Sequence, residues 1–199
     1  TPFSETLLLA ENSMFGSSIA PYRHNPGKTY VNSMFHAAYR REVFDRVGGY
    51  NENLVRTEDN EIHYRMRQAG YKFAFYPDII SYQHVRNRLG KMLKQKFSNG
   101  YWIGLTLGVC PKCLSLYHFV PFAFVMASFS SIIGLFITGK AKLMRLKNVI
   151  CKLTKLMWSL YGGLALAMSA TSIYKAKEKR NRTNFLLPII FLLLHFSYG

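Results

Sequence analysis

Two stretches decide how this chain is read: Arg40-Arg41-Glu42-Val43-Phe44-Asp45-Arg46-Val47-Gly48-Gly49-Tyr50-Asn51-Glu52, and Glu58-Asp59-Asn60-Glu61-Ile62-His63-Tyr64-Arg65-Met66-Arg67-Gln68-Ala69-Gly70-Tyr71. The first predicts a short helix over 40–47, closed by Gly48-Gly49, because glycine tolerates the left-handed conformation in which helices commonly end. The second predicts a helix capped by Thr57 or Asp59 and stopped by Gly70, with Ile62, Met66 and Ala69 on one face. Its first turn carries Glu58, Asp59 and Glu61. There the helix dipole and the unpaired N–H groups favour ionised carboxylates. Such a carboxylate can take a proton from an alcohol, or hold a divalent cation with a ligand from elsewhere. It can equally do no more than cap the helix.

Working outward, residues 5–14 read as a helix ended by Gly16, and 17–28 as a loop rich in Ser, Pro and Gly. Residues 30–39 are rich in strand formers. Segments 71–76 and 79–84 read as strands on either side of a Pro77-Asp78 turn, and 89–107 as a basic helix. This is strand–helix–strand material without a glycine-rich phosphate-binding fingerprint. It is enough for half of an α/β domain and thin for a nucleotide-binding enzyme domain of ordinary size.

The 199 residues hold 26 Lys and Arg against 10 Asp and Glu, a net charge of +16. With 49% hydrophobic and 15% aromatic residues the chain can supply a core, which argues against disorder. A positive balance invites a nucleic-acid reading, but the positions of the charges oppose it. Beyond residue 118 every basic residue falls in one of two connectors, 139–155 and 175–182, and the one acid there is Glu178. Flanking the connectors run 119–138 and 156–174, each long enough for a hydrocarbon core of roughly 30 Å. A third apolar run, 185–199, follows. Connector 139–155 sets Leu143, Leu146, Ile150, Leu153 and Met157 at steps of three and four among its basic residues. That is the pattern of an amphipathic helix lying in the interface. The expectation is a cytoplasmic soluble segment joined to about three membrane spans, the basic connectors meeting anionic lipid headgroups. Leu7–Ala10 lacks the basic flank of a signal peptide. A start at Thr1 and a last apolar run that stops at Gly199 suggest a piece of a longer product. Cys110-Pro111-Lys112-Cys113, with no second pair or His pair nearby, reads as reduced thiols, not as a zinc site.

The two opening stretches together resemble the second half of a family 2 glycosyltransferase domain, an inverting enzyme family of GT-A fold. The likeness continues through Tyr76-Pro77-Asp78-Ile79 to His84, and through 95–102. It resumes at Leu187-Pro188-Ile189-Ile190-Phe191 and His195-Phe196-Ser197-Tyr198-Gly199. The combination is most like membrane-anchored glycosyltransferases of the succinoglycan and exopolysaccharide type. The resemblance implies an α/β fold, the C-terminal half of a GT-A domain over 1–104. A juxtamembrane linker over 105–118 and a membrane domain over 119–199 would follow.

By the same resemblance, Asp59 matches the catalytic base that deprotonates the acceptor hydroxyl as it attacks the anomeric carbon. Glu58 and Glu61 match flanking acids that orient the acceptor or the base, and a nearby Arg65 or Arg40 would keep the base ionised. His84, with Arg86 and Arg88, resembles the segment that closes over the donor diphosphate, where a His can bind metal and arginines neutralise the leaving group. Arg40 and Arg41 would lie on the acceptor side. Tyr101-Trp102 reads as an aromatic anchor at the membrane interface. The implied partners are a nucleotide-sugar donor with Mg²⁺ or Mn²⁺, a lipid-linked saccharide acceptor and membrane lipids, with no nucleic acid.

Two departures bear on this. The Asp-x-Asp that holds the donor's metal is absent, as are the nucleotide-binding strands, so the chain alone is not expected to bind a nucleotide sugar well. The Gln-x-x-Arg-Trp of processive synthases is also absent, since Gln95 precedes Lys96-Phe97-Ser98-Asn99, which favours addition of single sugars. A polyprenyl- or dolichyl-phosphate sugar transferase, and a non-catalytic membrane scaffold that kept the half-domain, are the rival readings.

Overall fold

The computed structural model describes residues 1–16, 23, 27–34, 36–137, 144–177 and 180–199. Of the connector residues, Lys140, Lys142, Leu143, Glu178 and Lys179 lie outside these, as does most of loop 17–28. The elements in order are α1 (Pro2–Asn12), β1 (Thr29–Val31), α2 (Arg41–Val47), α3 (Glu58–Gln68), β2 (Phe73–Phe75), α4 (Leu89–Val109), α5 (Val120–Ile137), α6 (Met144–Lys175) and α7 (Leu187–Tyr198). Short 3₁₀ turns at Pro111–Cys113, Leu116–Phe119 and Arg182–Leu186 join the later helices. The chain is therefore mostly helical, with one small sheet. It divides into two compact units, one of Thr1–Ser18, Val85–Phe97 and Phe119–Gly199, the other of Ile19–His84 and Ser98–His118, so that the division falls inside α4.

The unit that carries the Glu58-Asp59 pair is built on an antiparallel ladder of β1 and β2, in the register Thr29↔Phe75, Tyr30↔Ala74, Val31↔Phe73. Val43 of α2, Ile62 and Met66 of α3 and Phe73 of β2 form its buried core, flanked by Val31, Met34, Tyr39, Phe44, Val47 and Tyr71. Helix α2 ends where expected. Gly48 has φ +81°, its N–H bonds the Phe44 carbonyl at 2.8 Å, and a side chain would be strained at that φ. Helix α3 stops before Gly70, which has φ +89°.

The strands are shorter than the sequence suggests. Segment 30–39 pairs only as far as Val31, and 79–84 forms no strand, its Ile79, Ile80 and Tyr82 being exposed. Strand-forming composition needs a partner edge to act on. The sheet among the described residues has two strands, and past Val31 the chain turns to α3, which Ser33 and Tyr39 both contact.

In the other unit, α1 opens with a capping box, in which Thr1 Oγ1 accepts from the Ser4 N–H at 3.3 Å. Leu7 and Ala10 of α1, Met92 of α4, and Leu187, Ile190, Phe191 and Leu194 of α7 make one buried cluster. A buried ion pair, Lys96 Nζ to Glu11 Oε2 at 3.0 Å, joins α4 to α1. Helices α5, α6 and α7 pack on one another. Gly134 makes room for the close approach of α5 to α6, since a Cβ there would stand 3.1 Å from Ile150 Cδ1. His195 of α7 lies 2.7 Å from the Phe15 carbonyl through Nε2 and 2.9 Å from the Tyr161 hydroxyl through Nδ1. A carbonyl only accepts, so Nε2 carries the proton and Nδ1 accepts from Tyr161. Phe15, Phe124 and Trp158 pack their rings around Tyr161, and Phe124 stacks on it at 4.4 Å.

Two helices are long and apolar enough to cross a membrane by length and composition, Leu116–Ile137 and α6. The first, at 22 residues, is about 33 Å long. The third apolar run becomes the turn Arg182–Leu186 and the 12-residue α7, about 18 Å long. One expectation is corrected: 144–155 is no separate interfacial helix but the first turns of α6, continuous to Lys175. Neither Gly nor Pro interrupts 144–161, and Arg145, Lys147, Lys152 and Lys155 do not break a helix that satisfies its own backbone.

Ile62, fully buried between α2 and β2, tests which residues hold the smaller core. Ile62→Ala is expected to cost about 2–5 kcal/mol, read as a lowered denaturation midpoint of the α3-containing unit in mild detergent. A change below half a kcal/mol would contradict that packing.

Candidate active site

Helix α3 presents its acidic end in an unusual way. Its N-cap, Thr57, sits in the left-handed region at φ +67°, ψ +5°. For a β-branched residue this conformation costs on the order of 1–3 kcal/mol and persists only where neighbours impose it. Those neighbours are on the second half of α4. Thr57 Oγ1 lies 2.5 Å from Thr106 Oγ1, and the Arg56 guanidinium donates to Asn99 Oδ1 at 2.8 Å. Thr106, fully buried, donates back to the Trp102 carbonyl at 2.6 Å. The side chain of Thr57 therefore makes no cap, contrary to the simple capping expectation.

The three carboxylates of the first turn have separate fates. Glu61 is buried and spent: Arg65 Nε meets its Oε1 at 2.7 Å and Arg65 Nη2 its Oε2 at 2.8 Å. Arg65 also donates to the Val47 carbonyl and, at 2.7 Å, to that of Gly49, clamping the Gly48-Gly49 turn against α3. Arg65 is thus committed to the fold. Asp59 is partly buried, and its Oδ1 accepts the Asn60 N–H at 2.8 Å. Among the described residues it has no ion-pair partner, and its Oδ2 makes no hydrogen bond. Glu58 is partly buried, and its Oε2 is shielded from solvent with no hydrogen-bond partner among the described residues, a rare state for a carboxylate oxygen in a folded protein.

Behind the acids lies a polar pair that the sequence reading missed. His63 is fully buried, with Ser33 Oγ 2.9 Å from Nδ1 and the Tyr39 hydroxyl 2.5 Å from Nε2. Phe73 packs edge-on to the ring at 4.6 Å. Burial lowers the His63 pKa, a shift the Asp59 charge opposes and Arg67 reinforces. Burial likewise raises the Tyr39 pKa, with Tyr50 and Asp59 adding to it. Asp59 is thus within electrostatic reach of a neutral His and a neutral Tyr. One sequence signal could have found His63: it stands three residues before Met66 on the buried face of α3.

The other candidates lie elsewhere. Arg40 and Arg41 are exposed and pair locally, with Glu42 at 3.5 Å and Asp45 at 3.4 Å. His84 is exposed on the extended segment after β2, while Arg86 and Arg88, also exposed, belong to the other unit. Tyr101 is exposed and lies edge-on to Trp102 at 6.0 Å. Among the described residues no three His, Cys, Asp or Glu side chains come together as metal ligands, so these residues do not fit a divalent ion by themselves.

Comparison with known proteins adds a second line of observation. Over 98 residues the chain is 30% identical to the succinoglycan biosynthesis protein ExoA of Rhizobium meliloti (strain 1021), a match covering 49% of this chain and 30% of that protein. It is 34% identical over 94 residues to the O-antigen chain rhamnosyltransferase WbaN of Salmonella anatum, covering 47% and 27% of the two chains. It is 40% identical over 53 residues to the O-antigen chain rhamnosyltransferase RfbN of Salmonella typhimurium, covering 27% and 17%. The matched stretches therefore span less than a third of each relative's own length. No family model and no solved structure matches the chain. The relatives bear out the resemblance read from the opening stretches.

The depressed pKa of His63 makes a pH prediction. Its folded value lies below the ordinary 6.5, so between the two values the unfolded chain binds more protons and stability rises with pH. The thermal midpoint of the α3-containing unit should hold steady above pH 6.5 and fall as the pH drops below it. His63→Gln should flatten that slope, and an unchanged slope would mean His63 is not the titrating group.

Proposed function

We propose that this chain, a relative of family 2 glycosyltransferases, forms the acceptor-side and membrane part of an enzyme of cell-surface polysaccharide synthesis. In this reading the enzyme moves a sugar from a nucleotide-sugar donor to a lipid-linked saccharide at the cytoplasmic face, with inversion. The reading rests on one observation above all. Of the three acids in the first turn of α3, Glu61 is consumed by Arg65, while Asp59 keeps one oxygen fixed and one open.

Asp59 is then the general base. The Asn60 N–H orients its carboxylate through Oδ1, and the N-terminus of α3 favours its charge. Oδ2 accepts the proton of the acceptor hydroxyl as that oxygen attacks the anomeric carbon and the nucleoside diphosphate leaves. Glu58 Oε2, buried and without a partner among the described residues, is suited to accept a hydrogen bond from a second acceptor hydroxyl and so to fix its orientation. His63 and Tyr39, held neutral by burial, back the carboxylate without competing for its charge. The Asp-x-Asp that the resemblance gives to the donor's Mg²⁺ or Mn²⁺ is not in this sequence, and no three ligands gather among the described residues. The two span-length helices and the basic residues at the start of α6 suit a lipid-borne, anionic acceptor. His84, Arg86 and Arg88 are reserved for the leaving diphosphate on the resemblance alone.

The test is transfer of labelled sugar to lipid-linked acceptor in membranes bearing the enzyme. Asp59→Asn should lower the turnover about 10²–10⁴-fold with little change in acceptor KM. Undiminished transfer would remove Asp59 from the chemistry and favour a scaffold. A glycosyl phosphate product in place of a glycosidic bond would identify a polyprenyl-phosphate sugar transferase.

A further inference from the structure

The Cys110-Pro111-Lys112-Cys113 segment takes no part in the reading above, and its geometry is specific. It forms a 3₁₀ turn over Pro111–Cys113, closed by the Cys113 N–H on the Cys110 carbonyl at 3.1 Å. That bond closes a four-residue turn, which brings the ends of the Cys-x-x-Cys segment to within about 7 Å of each other. Pro111 fixes φ at the first turn position and presets that arrangement. Both cysteines are free, and the Cys113 thiol lies within electrostatic reach of Cys110.

We propose that Cys110 and Cys113 are a redox-active dithiol that closes to an intramolecular disulfide by exchange with a small-molecule disulfide.

The two sulfurs are not equivalent. Cys113 is 8% exposed, and burial, followed by the neighbouring Cys110, pushes its thiol up to about 12. Cys110 is the more accessible and lies within electrostatic reach of the Arg65 guanidinium, whereas Cys113 faces the charge of Glu61. The order of events follows. Cys110 gives up its proton and attacks one sulfur of the small disulfide, whose S–S bond breaks and releases one thiol. Cys113 then loses its proton and attacks the Cys110 sulfur of the mixed disulfide, releasing the second thiol. The protein loses two hydrogens and two electrons, and the small disulfide is reduced to two thiols. The two cysteines stand at the ends of one backbone-bonded turn, a span that a disulfide can bridge. That turn packs against α3.

The full chain in detergent is equilibrated with glutathione and its disulfide over a range of ratios, acid-quenched, denatured and alkylated. The expected result is a fall from three alkylatable thiols to one as the buffer becomes oxidising. The protein should lose the mass of two hydrogens, and the peptide pair Cys110–Cys113 should be linked while Cys151 stays free. In Cys113→Ser the first step should be trapped as one glutathione on Cys110, whereas in Cys110→Ser the buried Cys113 should remain unmodified. Retention of three thiols in the wild-type chain across the range overturns the proposal, as does a stable glutathione adduct there. Equal modification of the two single variants overturns the assigned order of attack.

Discussion

The arrangement of the smaller unit depends on one ion pair. Arg65 and Glu61 face each other one turn apart on α3, with both carboxylate oxygens engaged and the carboxylate side chain only 9% exposed. Only a guanidinium could complete the set, because its planar fork meets the carboxylate side-on and still has donors for the Val47 and Gly49 carbonyls. An ammonium in the same place has neither the planarity nor the reach. The result is that the turn after α2, which Gly48 alone makes conformationally possible, is fastened to α3. With α2 and α3 locked, Val43, Ile62, Met66 and Phe73 can close over one another.

That commitment also sorts the acids. Three carboxylates in one helical turn look interchangeable in a sequence, yet they are separated by what packs against each. Glu61 points into the clamp, Asp59 acts electrostatically on His63 and Tyr39, and Glu58 ends with a buried oxygen that nothing in the described chain satisfies. The left-handed Thr57, pinned through Thr106, aims the turn. The left-handed Thr57 thus departs from the ordinary capping geometry of a helix end, beside two carboxylates that form no ion pair among the described residues.

The other unit solves a different problem, that of polar groups among apolar helices. Ser128 and Ser169 donate to the carbonyls of Phe124 and Ala165, four residues back, at 2.8 and 2.7 Å. His195 finds a hydroxyl and a carbonyl on separate segments, and Lys96 meets Glu11. Leaving any of these unpaired away from water would cost several kcal/mol by order of magnitude. The serines satisfy themselves within their own helices, whereas the His195 and Lys96 pairings cross between segments and fix which faces meet.

The sequence by itself determined the elements whose signals are local. Helices α2, α3 and α4 were legible because Gly48, Gly70 and the apolar spacing lie within a turn or two of the ends they set. The charge division that marks the apolar runs was legible for the same reason. The extent of the strands was not, since pairing is decided by an edge far along the chain and 79–84 finds none among the described residues. Nor was the continuity of α6, because basic residues mark a surface without ending a helix. Only the tertiary structure decided the roles within Glu58-Asp59-Asn60-Glu61. Which carboxylate is tied into the fold and which stays outside any ion pair among the described residues depends on Val47, Gly49, Thr106 and His63, and those neighbours meet only once the chain has folded.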